Sequence, residues 1–168
     1  TGSTGSTGNT GATGAQGNDG NFGGATFEYQ FSTNTTDSDP GAGTLKLNNG
    51  TVSSATVLYI DDTDGGSSNT DIQPFLRTID DSTSTIKGHF RISNKLNADD
   101  FALFTISAVT EASGYFKVTC SHVSGSASSF SNNEDVIITF ARTGDKGDTG
   151  AQGDVGSQGH QGYQGYQG

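Results

Sequence analysis

The chain has 168 residues, of which 26 are glycine and two are proline. Eight lysine and arginine residues against 18 aspartate and glutamate residues give a formal net charge of −10. Such a charge, with no basic cluster, argues against a nucleic-acid-binding protein, because phosphate contacts require lysine and arginine. A single cysteine excludes a framework of intrachain disulfides, and no run of apolar residues is long enough to span a membrane.

The first predicted element in chain order is a glycine repeat in residues 1–24, and the same period returns in residues 143–168. A strict Gly-X-Y period is typical of the collagen triple helix, because only glycine fits at the crowded axis of three chains. The alternative is a flexible linker, although such linkers do not keep a strict phase. The predicted axis residues are Gly2, Gly5, Gly8, Gly11, Gly14, Gly17, Gly20, Gly23, Gly144, Gly147, Gly150, Gly153, Gly156, Gly159, Gly162, Gly165 and Gly168.

Neither repeat contains proline, which normally pre-sets the extended backbone that a triple helix needs. We therefore expect each tract to be weak alone and to depend on a neighbouring element that holds three chains together. Residues 25–142 lie between the tracts, lack the triplet period and have the size of a common single domain. They are the candidate for that element.

Alternating apolar and polar residues predict strands through most of residues 25–142, beginning with Phe27, Tyr29 and Phe31. Further strands are predicted at residues 45–47, 56–60, 86–92, 101–109, 115–123 and 136–140. Between the third and fourth strands, Asp71 as a cap and Pro74 in the first turn predict a short helix. Seven strands at this spacing predict an all-β antiparallel sandwich, jelly-roll-like, with one short helix.

The predicted strand at residues 101–109 is apolar on both faces, whereas one domain core accounts for only one of them. Because a triple helix needs three chains, we predict a homotrimer around a three-fold axis. The domain would have its N-terminus near the axis at one end and its C-terminus near it at the other. The alternative is a strand buried inside one subunit. The candidates for the trimer core are Phe101, Leu103, Phe104, Ile106 and Val109.

The most ligand-like segment is the acidic run that contains Asp61, Asp62 and Asp64, since clustered carboxylates suit cations such as Ca²⁺. Counted from Asp62, the positions where an EF-hand needs glycine and glutamate hold Ser67 and Gln73, so that motif fails. The three aspartates are therefore weak metal candidates, and an acidic hydrophilic turn is the plainer interpretation. No catalytic motif is visible, so we expect neither an enzyme nor a cofactor.

Lys146 and Asp148 flank Gly147 near the start of the second tract, where winding of three chains would begin. A lysine at a Y position can reach the carboxylate of the next X position on a neighbouring chain. We therefore predict an interchain pair between Lys146 and Asp148, with ordinary surface charge as the alternative.

Several segments resemble the collagen-like structural and fibre proteins of marine tailed phages, especially those that infect cyanobacteria. These segments are FEYQF (27–31), TDSDPG (36–41), YIDD (59–62), FLRTIDDS (75–82) and IITFAR (137–142), the last followed directly by GDKGD (144–148). The resemblance implies a virion fibre without an enzymatic role. A bacterial or environmental surface filament built from the same module is the alternative location.

Two functions follow from these patterns. In the first, the globular region is a trimerisation and spacer bead in a homotrimeric fibre, and its partners are its own copies and further segments of that fibre. In the second, it is a domain that binds a receptor or a host-surface glycan. Because triplets lie on both sides of the globular region, the pattern favours the spacer.

Overall fold

The computed structural model describes residues 25–145 and residue 147. All elements lie within one unit that spans Gly17–Asp145. They are β1 (Ala25–Ser32), β2 (Thr44–Leu47), a 3-10 turn (Val52–Ser54), β3 (Val57–Asp61), α1 (Gln73–Asp80), β4 (Gly88–Asn94), β5 (Phe101–Glu111), β6 (Tyr115–Ser124) and β7 (Glu134–Arg142).

The seven strands form a closed barrel in the order β1-β2-β3-β6-β5-β4-β7. The predicted antiparallel sandwich is therefore wrong. The barrel closes because β7 pairs with β1 on one side and β4 on the other, so that Ile138 lies in register with both Phe27 and Ile92. The pair β1 and β2 is also parallel rather than antiparallel, with Gln30 opposite Thr44. The predicted triple-helical tracts lie outside the described residues, apart from residues 143–145 and 147.

Along each strand, every second side chain points into the barrel, and together these side chains fill its interior. Phe90 and Phe104 stack there with their ring centroids 4.8 Å apart, and both are at most 1% exposed. The inward-facing residues form a single continuous hydrophobic cluster. The barrel is thus a packed core rather than a channel.

The predicted helix is confirmed as α1, although its N-cap is Ile72 and not the predicted Asp71. The Asp71 carboxylate accepts a hydrogen bond from the backbone nitrogen of Gln73 at 2.9 Å, next to the first turn, and Pro74 lies in that turn. Leu76 is fully buried, and the Phe75 ring lies 5.8 Å from the ring of Phe140. These contacts place α1 against the end of the barrel where β7 finishes. Among the described residues, no helix has the length and apolarity needed to cross a membrane.

Residues 33–43 connect the parallel strands β1 and β2 and cover the outer side of β2, β3 and the start of β6. Lys46 points outward there yet is only 3% exposed, because its ammonium donates to Asn34 Oδ1 at 3.1 Å and to Ser38 Oγ at 2.8 Å. Asp37 accepts hydrogen bonds from Tyr115 Oη and Lys117 Nζ, each at 2.7 Å. The connection is therefore fixed by polar contacts rather than by apolar packing.

Candidate functional site

The chain enters and leaves the barrel at the same end. Ala25, the first residue of β1, lies in register with Phe140 near the end of β7. Antiparallel partners of this kind have Cα atoms about 5 Å apart. This corrects the expectation that the two ends of the domain lie at opposite ends of the bead. The reason is that barrel closure makes the first and last strands antiparallel neighbours.

The loop between α1 and β4 holds the residues that follow β7, through a group that we call the exit clamp (Ser82, Ser84 and Lys87). The backbone nitrogen of Thr143 donates to the carbonyl of Lys87 at 2.9 Å. The carbonyl of Gly144 accepts from Ser84 Oγ at 2.7 Å and from Ser82 Oγ at 3.5 Å. Thr143 and Gly144 are buried by these contacts. The first glycine of the second repeat is thus held against the barrel.

Charged groups reinforce the same exit. The Arg142 guanidinium donates through Nε to the carbonyl of Thr78 at 2.7 Å and through Nη2 to Asp145 Oδ1 at 2.9 Å. The backbone nitrogen of Thr83 also donates to Asp145 Oδ1, at 3.3 Å. The hydrogen bond from Arg142, and then that from Thr83, hold the pKa of Asp145 below its usual value. The first triplet is therefore anchored by its X residue as well as by its glycine.

Lys87 ties the exit clamp to the helix. Its ammonium donates to the carbonyls of Asp80 at 2.8 Å and Ser82 at 2.6 Å, at the C-terminal end of α1. A cation at this position satisfies terminal carbonyls and interacts favourably with the helix dipole. The exit clamp therefore joins α1, β4 and the start of the repeat in one network.

The other residues of the predicted repeat are not tested. Of the axis glycines, only Gly144 and Gly147 belong to the described residues. Lys146 and Asp148, the predicted interchain pair, lie outside them. The carboxylate that does appear at the start of the tract, Asp145, pairs with Arg142 of its own chain.

The five candidates for the trimer core divide into two groups. Phe104 and Ile106 are fully buried, and Val109 is 7% exposed, because all three face the barrel interior. They fill the core of one subunit and offer no surface to another. Phe101 and Leu103 point outward and are half-buried, and the Arg91 guanidinium lies 4.6 Å from the centre of the Phe101 ring. The apolar second face of this strand is therefore short.

The aspartates of the acidic run organise their own loop. Asp61 Oδ2 accepts from the backbone nitrogen of Thr63 at 2.9 Å, and Asp64 Oδ1 accepts from those of Gly66 and Thr70 at 3.2 and 2.8 Å. Within residues 25–145, no group of three or more histidine, cysteine or acidic side chains is arranged to hold a metal ion. In the described structure, Asp61 and Asp64 therefore bind the backbone of their own loop.

Two carboxyl groups of this region, those of Asp61 and Asp62, have raised pKa values. Burial, followed by the neighbouring Asp39 carboxyl, raises the pKa of Asp61 to about 6, against a hydrogen bond from Thr63 that lowers it. Burial and the charge of Asp71 raise the pKa of Asp62 as well. Both shifts mean that the ionised forms destabilise the folded barrel near neutral pH.

A polar cleft of about 290 Å³ lies beside β1, between the turn at residues 42–43 and residues 65–69. Its charged and amide groups are already paired: Lys95 Nζ lies 3.4 Å from Glu28 Oε1, and Gln30 Nε2 donates to Asp135 Oδ1 at 3.4 Å. Sequence reasoning missed this cleft because its walls come from distant segments.

Comparisons with protein-family models, curated proteins and solved structures found no match for this chain. The functional interpretation therefore rests on the geometry of the described residues. Its main feature is the exit clamp, which sequence reasoning also missed because Ser82 and Ser84 belong to an ordinary hydrophilic turn by composition. Chemically, the exit clamp can fix the direction and the first residues of a departing chain.

Proposed function

We propose that this chain is a structural segment of a homotrimeric collagen-like fibre, in which the barrel is a trimerisation and spacer domain inserted into a Gly-X-Y repeat. The observation that carries the proposal is the exit clamp on Gly144, because it fixes the backbone where the repeat begins. A virion fibre of a tailed phage is the setting that the resemblance implies, with an extracellular filament as the alternative.

The first and last residues of the barrel lie next to each other. This supports a domain inserted into the repeat, as opposed to a domain that the repeat enters at one end and leaves at the other. Domains whose ends lie close together are readily inserted into other sequences. Removal of residues 25–142 would join Gly24 to Thr143 and leave Gly23 and Gly144 three positions apart, which is the spacing of the repeat. The two tracts can therefore be parts of one repeat that the barrel interrupts without a change of phase.

The exit clamp gives a physical reason why a proline-free repeat could wind here. Fixing the backbone of one residue costs about 1–2 kcal/mol of conformational entropy. The exit clamp orders Thr143, Gly144 and Asp145 in each chain before any winding. If three barrels also associate, the three clamped ends are held at a high effective concentration, which favours winding further.

Circular dichroism of the full chain, with a matched pair of variants, tests this proposal. Gly153→Ala places a side chain at the predicted axis, whereas Val155→Ala changes a Y position and places none there. We expect the triple-helix signal in the wild type and in Val155→Ala, and its reduction together with faster proteolysis in Gly153→Ala. Equal signals and equal protease resistance in all three proteins would refute winding of the repeat.

A second candidate function, binding of a host-surface glycan, is favoured by the polar cleft beside β1. Its volume of about 290 Å³ is at the small end of ligand sites, and a ligand would have to compete with the Lys95–Glu28 and Gln30–Asp135 pairs for their hydrogen-bonding groups. Asp135→Asn should weaken glycan binding at least about tenfold if Asp135 contacts the ligand. Absence of binding across a saccharide panel by the full chain would remove this candidate.

A further inference from the structure

Between their ends, the outer sides of β4, β5, β6 and β7 carry no carboxylate, although the whole chain has a net charge of −10. The acidic residues of these strands are confined to Glu111, the last residue of β5, and Glu134 and Asp135, the first two residues of β7. We propose that this carboxylate-free surface contacts two further copies of the same chain in the trimer. The inference rests on the proposed function and identifies the surface through which the barrels associate. We call this surface the neutral face and define it by His89, Arg91, Thr105, Ser107, Thr119, Ser121, Thr139 and Ala141.

Strand register places the residues of the neutral face side by side. His89 lies between Thr105 of β5 and Ala141 of β7, and Ser121 of β6 lies opposite Thr105. Side chains alternate along a strand, and the intervening residues are buried in the barrel, so these four share the outer side. Hydroxyl and methyl groups predominate, with the imidazole at the centre.

The acidic residues of the described chain lie elsewhere. None occurs in residues 88–93, 101–110, 115–124 or 136–142, which include the strand segments behind the neutral face. The carboxylates are in β1, the connection at residues 33–43, residues 61–71, the end of α1, the turn before β5, the last residue of β5, the start of β7 and Asp145 after β7. The middle of these four strands is therefore free of carboxylates on its outer side.

Charge selects this side for contact with another copy. Like charges brought together at an interface cost several kcal/mol, so three acidic chains approach each other most easily where carboxylates are absent. The neutral face is also continuous with the exit clamp, because Ala141 is two residues before Thr143 in the chain. Surfaces next to the point where the repeat begins are those that three wound chains would bring together.

The width of the neutral face suits three-fold symmetry. In a ring, each subunit uses one patch for one neighbour and a different patch for the other. Four strands about 4.8 Å apart provide two such patches, one on β7 and β4 and another on β5 and β6. A single uninterrupted side of the barrel can therefore contact both neighbours.

The first test introduces a carboxylate at the centre of the neutral face of the full chain. His89→Glu would place three like charges in the contact, and Ser53→Glu, in the exposed 3-10 turn, adds the same charge elsewhere. Native mass spectrometry over a dilution series measures the concentration at which the trimer dissociates. We expect His89→Glu to raise this concentration at least about tenfold and Ser53→Glu to leave it unchanged.

The second test gives a signal that does not depend on destabilising the protein. Ala141→Cys and Ser53→Cys are each treated with a short bismaleimide in the full chain, where the native Cys120 is only 6% exposed. We expect cross-linked chains with Ala141→Cys and few with Ser53→Cys. A trimeric wild type in which neither His89→Glu dissociates nor Ala141→Cys cross-links would overturn the neutral face but not the fibre. A monomeric wild type would overturn both.

Discussion

The hydrogen bond from Ser84 to Gly144 offers the sharpest perturbation of the exit clamp. Ser84 is 7% exposed, Gly144 is buried, and Ser84 Oγ lies 2.7 Å from the Gly144 carbonyl oxygen. Ser84→Ala leaves that carbonyl with only Ser82 Oγ, at 3.5 Å. The substitution removes the Ser84 hydroxyl and no backbone hydrogen-bonding group, so the hydrogen bond from the Thr143 nitrogen to the Lys87 carbonyl can still form.

The expected loss follows from the burial of both groups. A buried acceptor deprived of its partner costs about 1–3 kcal/mol, and the weak contact to Ser82 recovers a part. We therefore expect Ser84→Ala to lower the free energy of unfolding by about 1–2 kcal/mol, which lowers Tm by roughly 4–8 °C for a domain of this size. Ser53→Ala, at an exposed position, should change it by less than about 0.5 kcal/mol.

Two measurements separate the junction from the barrel. Urea unfolding at a fixed chain concentration reports the barrel through its tyrosines, since the chain has no tryptophan. Trypsin cleavage after Lys146 reports the segment that leaves the exit clamp. We expect both the lower stability and the faster cleavage in Ser84→Ala alone. If Ser84→Ala behaves as Ser53→Ala does in both assays, the exit clamp does not order the start of the repeat.

Three further predictions concern the acidic region, the barrel closure and the second tract. Because the pKa of Asp61 is about 6 in the folded state and lower when unfolded, its ionisation penalises folding above pH 6 and the penalty disappears toward pH 4. Asp61→Asn should therefore gain about 1–2 kcal/mol in urea unfolding at pH 7.5 and almost nothing at pH 4, and a gain independent of pH would contradict this. A Cβ on Gly88 would lie 2.5 Å from the carbonyl oxygen of Ala141, so Gly88→Ala should lower the free energy of unfolding by about 2 kcal/mol or more. Gly50→Ala, where a Cβ would meet open space, should leave it unchanged. Equal urea midpoints for the two variants would argue against the pairing of β4 with β7. A peptide of residues 143–168 should give no triple-helix circular dichroism at room temperature, while the full chain should; a peptide that trimerises alone at micromolar concentration would show that the barrel is not needed.

Local patterns in the sequence were sufficient for the elements but not for their assembly. The alternation of Phe27, Tyr29 and Phe31 predicted β1, and the helical spacing of Leu76 and Ile79 predicted α1, because periodicity reports which face of an element is buried. Closure depends on the pairing of residues more than 100 positions apart in the chain, such as Ala25 and Phe140. A strand in a sandwich and a strand in a barrel have the same alternation, so the pattern could not distinguish them.

The candidate site was harder to predict for a related reason. Lys46 and Asp61 occupy outward positions that alternation assigns to solvent, yet the connection at residues 33–43 helps to bury them. Ser82 and Ser84 acquire their role only because the end of β7 passes next to them. The Gly-X-Y period is visible in the sequence itself, because it occupies every third residue, and the triple helix that it indicates stays a prediction.

The mass of the full chain in solution decides whether the proposed fibre can form, because the triple helix and the contact between neutral faces both require three chains. Light scattering on the native protein at micromolar concentration should give three times the chain mass of 17.2 kDa. The trimer should persist in Gly153→Ala, whose barrel and exit clamp are intact. A mass of one chain, or of two, at every concentration measured would contradict the proposed homotrimer.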